Sequence, residues 1–181
     1  MAIDDVSVIS DVTDTLSALL KDLEVTLDSP AELKGSGTFE KLNLYLYQVL
    51  EHPFTKNQPA IARDDRTLQY PPLTLSLYYL MTPYASDPAS AHKVLGHAMR
   101  IFYENAIVKD GQLSDGLRLA TDRLAIVLLS TKLEELTRIW NAMQTPYRLS
   151  VCYEVRVVPL ESARLQQTER VKTRVDVYGE L

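Results

Sequence analysis

The fold is decided by a nine-residue stretch in the middle of the chain, residues 73–81, which reads LTLSLYYLM. Leucine recurs at positions 73, 75 and 77, with Tyr79 and Met81 continuing the row, and this period-two alternation predicts a β-strand with one apolar face. A second stretch, KLNLYLYQVL over residues 41–50, alternates leucines with polar or aromatic residues in the same way. We expect the two strands to pair as a hairpin, which makes residues 51–71 a protruding arm or loop.

Helical periodicity appears on both sides of this hairpin. Apolar residues at spacings of three and four predict an amphipathic helix over residues 3–23. Asp87 or Ser86, followed by Pro88, predicts a helix start, and that helix runs to about Asn105. A third helix is expected over residues 132–143, capped by Ser130 or by Thr131, which could form a capping box with Glu134.

Further strands complete the predicted sheet. They are expected at residues 24–28, 124–129, 147–158 and 171–178, and the continuous apolar run at 124–129 predicts burial on both faces. A turn is expected over residues 82–86, and Pro159 is expected to end the 147–158 strand. Residues 106–123 have no clear pattern, and residues 161–167 are polar.

The order of elements predicts an α+β fold. It is a single domain over residues 1–181, with a mixed or mostly antiparallel sheet packed by about three helices. Residues 160–181 form a C-terminal extension with a candidate edge strand.

Composition excludes several classes of protein. The chain has 181 residues, is 46% hydrophobic and 24% charged, and carries a formal net charge of −5. These values are typical of a soluble globular domain and disfavour a disordered chain or a strongly basic nucleic-acid binder. The charge is polarised, because residues 1–24 hold six acids and one base, whereas residues 145–174 hold six bases and three acids. The acidic segment is either a solvated helix face or a docking surface, and the two regions could pair within one subunit or between neighbours.

The N-terminus and the single cysteine bear on localisation. Cys152 cannot form an internal disulfide, and no secretory signal or long apolar run is visible. We therefore expect assembly in the cytoplasm and no membrane contact.

Few residues suggest chemistry. Those weighed are Gly35, Ser36, Gly37, His52, Asp64, Asp65, His92, His97, Glu134, Glu135 and Cys152. The two glycines fit a turn better than a phosphate loop, and the two helical histidines lie five residues apart, which is the wrong spacing for a shared metal. Cys152 is expected to pack in a strand, and the paired acids have no partner histidine. We predict no catalytic residue, no metal ligand and no cofactor.

Tyrosine is the unusual residue type, with ten copies against three phenylalanines and one tryptophan. Six of them cluster on the hairpin and its flanks: Tyr45, Tyr47, Tyr70, Tyr78, Tyr79 and Tyr84. Two interpretations stay open, a half-buried sheet face packed by helices and a protein–protein surface.

Four segments together resemble a known family. They are residues 25–32, residues 42–47, residues 72–84 with 87–88 and 92–96, and residues 133–140 leading into 146–150 and 157–160. Their order resembles the cap, or tail-terminator, proteins of extracellular contractile injection systems of the antifeeding-prophage type. Each segment alone is weak, and the combination spans nearly the whole chain.

The resemblance implies a structural protein that is not an enzyme. It implies a homo-oligomer, a hexameric ring, that caps the distal end of the inner tube, stops polymerisation and contacts the last sheath ring. Its partners would be the tube protein and the sheath protein, without nucleic acid or membrane, and the released extracellular particle would carry it. Some members have an additional C-terminal domain, so a chain ending at Leu181 looks like the minimal form. Separately, a terminal strand or free sheet edge could accept a sheath arm by strand addition, and strand 171–178 is the candidate for this exchange.

The alternative is a small ligand-binding or enzymatic α+β domain of unknown chemistry. It would need a pocket that joins His52, Cys152 or the paired acids.

Overall fold

The structure is a computed structural model that describes residues 7–33, 40–55, 58–64, 67–160 and 165–167. The helices within these ranges are α1 (Val8–Leu19), α2 (Pro88–Glu104), α3 (Asp115–Ala120) and α4 (Leu133–Ala142). The strands are β1 (Glu24–Thr26), β2 (Lys41–Glu51), β3 (Ile61–Asp64), β4 (Thr67–Gln69), β5 (Leu73–Tyr84), β6 (Ile107–Lys109), β7 (Arg123–Leu128), β8 (Val151–Leu160) and β9 (Leu165–Gln167). The predicted α+β class is confirmed. None of the described helices is long and apolar enough to cross a membrane.

Six strands form the main sheet in the order β1-β2-β5-β8-β7-β6. β1 runs parallel to β2, and every other neighbouring pair is antiparallel, so the sheet is mixed. The expected hairpin is confirmed, because β2 pairs with β5 from Lys41↔Tyr84 to Glu51↔Leu75. The segment between them contains β3 and β4, which form a small second sheet with β9 in the order β3-β4-β9.

The two faces of the main sheet bury different clusters. On the first face, α1 and α2 cover Leu42, Leu44, Leu75 and Leu77 of the hairpin, and Phe102 of α2 packs in the same cluster as Val155 of β8. On the second face, α4 covers Leu80 and Cys152 through Leu136 and Trp140. Each face follows the period-two alternation of β5, which is why Leu75 and Leu77 lie on the first face and Leu80 lies on the second.

The turn predicted at residues 82–86 begins later than expected. β5 continues to Tyr84 with Pro83 inside it, opposite Leu42 of β2. β8 begins only at Val151, opposite Met81, so this end of β5 has a strand neighbour on one side. A sheet tolerates proline at such a position because no ladder partner needs the missing N–H.

The predicted burial of the 124–129 strand on both faces is wrong. In β7, Leu124 and Ile126 are buried on one face and Leu128, at the end of the same face, is 48% exposed, whereas Ala125 and Val127 on the opposite face are only half-buried. β8, between β5 and β7, buries adjacent residues from Cys152 to Val155 instead. Pro159 pairs with Thr74 inside β8 and does not end the strand.

The helices follow their predicted caps with one exception. The Asp87 carboxylate accepts a hydrogen bond from the Ser90 N–H at 3.0 Å, and Pro88 opens α2. α4 starts later than Thr131, and Glu135 accepts from the Lys132 N–H at 3.4 Å where Glu134 was expected to close the box. α1 covers residues 8–19 of the predicted 3–23. The ambiguous residues 106–123 include β6 and α3, and the strand expected at 171–178 lies outside the described residues.

Candidate assembly surfaces

The residues weighed for chemistry do not come together. Cys152 lies opposite Leu80 on β5, whereas the His52 N–H donates to the Thr74 carbonyl at 2.8 Å. Leu80 and Thr74 are six residues apart, or about 20 Å along an extended strand. Burial raises the pKa of the Cys152 thiol, which is the reverse of what a nucleophilic cysteine needs.

The other candidates lie apart on the surface. His92 is exposed and His97 half-buried on α2, while Glu134 and Glu135 are exposed at the start of α4. Asp64 ends β3, and Asp65 and the 35–37 glycine turn lie outside the described residues. Within the ranges that the structure describes, no group of three His, Cys, Asp or Glu side chains could hold a metal ion.

The tyrosine cluster is divided between the two faces of the sheet. Tyr79 is fully buried on the first face, where its hydroxyl lies 2.8 Å from the Thr13 Oγ1. Burial raises the pKa of Tyr79 to about 12. Tyr47 and Tyr78 lie half-buried on the second face with ring centroids 6.3 Å apart. Tyr47 packs against the cluster that α4 covers, as the interpretation of a half-buried sheet face packed by helices expects, and the protein–protein surface stays a prediction.

A buried carboxylate organises the second face beside these tyrosines. Glu154 is 5% exposed, and the Arg156 Nε and Nη2 atoms donate to its Oε2 at 2.8 and 2.7 Å. The Tyr78 hydroxyl donates to its Oε1 at 3.3 Å. Burial opposes ionisation of this carboxyl, but the hydrogen bonds from Arg156, Ser76 and Tyr78 together hold its pKa below the usual range.

The sequence contains a signal for this hydrogen-bond network. Glu154 interrupts an apolar strand, and Arg156 follows two residues later on the same face. An acid and a base at positions i and i+2 of a predicted strand indicate a pair that one sheet face can bury. The network ends at His52, whose Nδ1 lies 3.1 Å from the Ser76 Oγ.

An apolar groove of about 430 Å³ opens between α2 and β7. Its floor contains Phe102 and Tyr153, whose rings meet edge to face with centroids 5.0 Å apart. Its rim is the unusual part, because Tyr103 is 85% and Leu128 is 48% exposed. Large exposed apolar side chains around a groove are typical of a binding surface.

A second exposed apolar surface lies at the far end of the hairpin. Val49, Leu50 and Leu73 are 39–45% exposed there. Phe54 follows in the first turn of the arm and is 89% exposed, with its ring 5.7 Å from that of His52. The domain thus presents two separate apolar surfaces, the groove and this hairpin end, and neither contains a catalytic arrangement of side chains.

Comparison with known families accounts for this architecture. A family model described as the Pvc16 N-terminal domain matches residues 8–174. This chain belongs to the Pvc16 N-terminal domain family. The expected resemblance to injection-system caps is thereby confirmed at the level of the family.

Two solved structures share the fold of this Pvc16 N-terminal domain. One is the PVC sheath/tube terminator of an extracellular contractile injection system in its extended state, with a TM-score of 0.67 and 21% identity. The other is the tube-terminating cap of the anti-feeding prophage, with a TM-score of 0.64 and 17% identity. Each alignment covers 96% of this chain, which spans 63% and 61% of the two relatives. No curated protein sequence matches the chain.

Proposed function

We propose that this Pvc16-type domain is a tail-terminator subunit, which caps the end of the inner tube of a contractile injection particle and stops tube and sheath growth. The observation that carries the proposal is the fold match over 96% of the chain to a sheath/tube terminator and to a tube-terminating cap. The family assignment over residues 8–174 supports it independently.

The physical requirement for such a protein is simple. A tube end is a heterologous interface that keeps adding subunits until something occupies it. A cap must present one surface that fits the tube and another that offers no site to the next tube ring. The exposed hairpin end and the groove beside α2 supply two distinct contact surfaces.

The finer features of the proposal follow from this role. We propose a hexameric ring, matched to a six-fold tube, that contacts the tube protein and the last sheath ring and has no enzymatic activity. It would assemble in the cytoplasm and leave the cell as part of an extracellular particle.

The decisive experiment removes the protein from particle-producing cells and measures tube length by negative-stain electron microscopy. Without the cap we expect tubes of uncontrolled length with open ends, and a wild-type copy should restore uniform, closed particles. Particles of normal length and closed ends in the deletion strain would refute the proposal.

Two matched variants identify the surface that meets the tube. Phe54→Asp and Tyr103→Asp each place a charge on a side chain that is 89% or 85% exposed, so neither disturbs the core. We expect one variant to fail in complementation and the other to succeed. Normal capping by both variants would exclude both apolar surfaces as the tube contact.

A further inference from the structure

Three basic side chains share one face of the main sheet near its β6 edge. Lys109 of β6 lies directly opposite Arg123 of β7, and Arg156 of β8 lies opposite Ala125, two residues further along β7. Residues that pair across strands point to the same face, as do residues two apart on one strand. Because Arg156 shares its face with Cys152, the three bases lie on the second face, beside the part that α4 covers.

The charges of these bases are not balanced within the described residues. The strands β6, β7 and β8 contain one acid, Glu154, which already accepts hydrogen bonds from Arg156. Lys109 and Arg123 are exposed and form no ion pair with a described residue, the neighbouring Asp122 included. Like charges directly opposite each other on paired strands destabilise a sheet. This pair of bases therefore favours an anionic partner on the face.

Apolar side chains lie beside the bases. Ile107 is 48% exposed and pairs with Ala125, which is half-buried like Val127 on the same face. A phosphate ion or a nucleic acid backbone gains nothing from exposed apolar side chains, whereas an acidic protein segment with an apolar residue can contact both kinds of group. The surface therefore fits an acidic protein segment. This basic face consists of Ile107, Lys109, Arg123 and Arg156.

The chain carries a complementary surface at the opposite edge of the same sheet. Residues 22–32, DLEVTLDSPAE, contain four acids and no base, and one base, Lys21, precedes them. Glu24 forms an ion pair with Lys41 at 2.7 Å, whereas the other three acids are exposed and have no ion-pair partner among the described residues. Leu27 lies between these acids and is 44% exposed. Residues 22–32, the β1 segment, thus combine the negative charge and the apolar side chain that the basic face fits.

The strand order keeps the two surfaces apart within one copy. β1 is the first strand of the sheet and β6 the last, so five strand spacings, or about 24 Å, separate them. The β1 segment is held against β2 and cannot fold back onto β6 and β7 of its own chain. Complementary surfaces at opposite edges of one molecule make a heterologous contact, in which each copy binds the next.

We propose that the β1 segment of one copy docks on the basic face of a second copy. This inference rests on the proposed ring, for which it names the subunit contact. Each copy offers one surface and accepts the other, so the head-to-tail contact can close into a ring without a free end. Complementary charge steers the encounter and makes it sensitive to salt, while Leu27 and Ile107 supply the apolar contact.

Charge reversal in the full-length protein tests the contact. One variant carries K109E and R123E, and the other carries D28K and E32K; Arg156 is left unchanged because it holds Glu154. All four positions are exposed, so both variants should keep the wild-type melting temperature. Wild-type protein should self-associate at low salt in sedimentation velocity. Each variant alone brings like charges together at the contact, so its self-association should fall about tenfold or more.

An equimolar mixture of the two variants is the decisive sample. The reversed face of the first variant is acidic and meets the reversed, basic β1 segment of the second, while their unchanged surfaces meet each other. Self-association should therefore return, with the differently tagged chains recovered together in a pull-down. The matched control carries K93E and R138E, which reverse two exposed bases on α2 and α4, and it should associate like the wild type.

A disulfide trap tests the same contact without changing a charge. One tagged chain carries L27C and a second carries I107C; the native Cys152 is fully buried and does not compete. Because a disulfide needs two closely placed cysteines, mild oxidation should give about tenfold more mixed product than the control, in which L133C on α4 replaces I107C. Leu133 is 63% exposed, so its cysteine is at least as accessible as that at position 107.

Four results would overturn the inference. They are a wild-type protein that stays monomeric at low salt, a variant mixture that associates no better than its components, a mixed disulfide yield no higher than the control, and disulfides that join only like variants, which would show a two-fold contact. A K109E/R123E protein that self-associates normally but fails to end tubes would assign the basic face to the tube or sheath protein instead.

The cap function is tested separately by the tube-length assay. If the contact fails while deletion of the protein still gives tubes of uncontrolled length, the subunit contact is wrong and the cap function stands. If the contact holds while tube length does not depend on the protein, the cap function alone is refuted.

Discussion

The Glu154–Arg156 pair offers a sharp test of the energetics on the second face of the sheet. Replacing Arg156 by methionine keeps the aliphatic stem and removes both donors to a carboxylate that is 5% exposed. Hydrogen bonds to charged groups contribute about 1.5–3 kcal/mol, and the Arg156 side chain is 44% exposed, which reduces its share. We therefore expect R156M to lower the free energy of unfolding by about 2 kcal/mol at pH 7.

The sign of the pH dependence follows from the Glu154 pKa. In the wild type that pKa lies below its unfolded value, so the carboxylate contributes stability above the unfolded value, and this contribution is lost as the pH falls through the folded pKa. In R156M the hydrogen bonds from Arg156 no longer offset the effect of burial on the Glu154 carboxyl, so its pKa rises. The stability difference between R156M and wild type should therefore shrink as the pH falls from 7 toward 4.

Urea unfolding monitored by tryptophan fluorescence at both pH values measures this difference. The matched control is Arg138→Met, because Arg138 is exposed on α4 and supplies no ion pair among the described residues. R138M should change stability by less than about 0.5 kcal/mol at either pH. An R156M deficit that is equally large at pH 4 and pH 7 would show that packing, and not the ion pair, accounts for it.

Three further tests probe the core and the helix cap. Trp140→Phe removes the Nε1–H donor to the Ser150 Oγ at 3.0 Å and leaves a gap under α4, so thermal unfolding should show that the free energy of unfolding falls by about 2 kcal/mol. The control is Leu133→Ala, because Leu133 is 63% exposed and its truncation should change stability by less than about 0.5 kcal/mol. Equal losses of stability in the two variants would contradict the observed burial of Trp140. Tyr79→Phe deletes a buried hydroxyl and should cost about 1 kcal/mol in urea, and a neutral result would mean that its bond to α1 contributes nothing. Asp87→Ala should lower the melting temperature while Asp87→Asn retains most of it, because both the carboxylate and the amide can accept from the third residue of α2.

Local pattern was sufficient for the decisive hairpin and for α2. The alternation in residues 41–50 and 73–81 does not depend on neighbours, because one buried face forces a period of two on any strand. The start of α2 was equally local, since Asp87 and Pro88 satisfy the helix terminus within one turn. Family resemblance then came from the order of several such segments, each of which is weak alone.

The predictions that were wrong depend on contacts between residues far apart in the chain, which a local sequence pattern does not show. Pro83 lies inside β5 because β8 begins too late to pair with that end. The apolar run of β7 is fully buried only at Leu124 and Ile126, because α4 packs through Trp140 over Leu80 and Cys152.

By itself the sequence determined the fold class, the central hairpin, the polarised charge and membership of a cap-like family, because each of these is written in local periodicity or in segment order. Only the tertiary structure decided which tyrosines enter the core, that Glu154 is held by Arg156 and Tyr78, and that β1 pairs with β2 from Lys41 to Asn43. The physical reason is that burial, ion pairing and strand neighbours depend on residues far apart in the chain. Periodicity shows that a strand has two faces and two edges, whereas only the folded arrangement shows what lies against each of them.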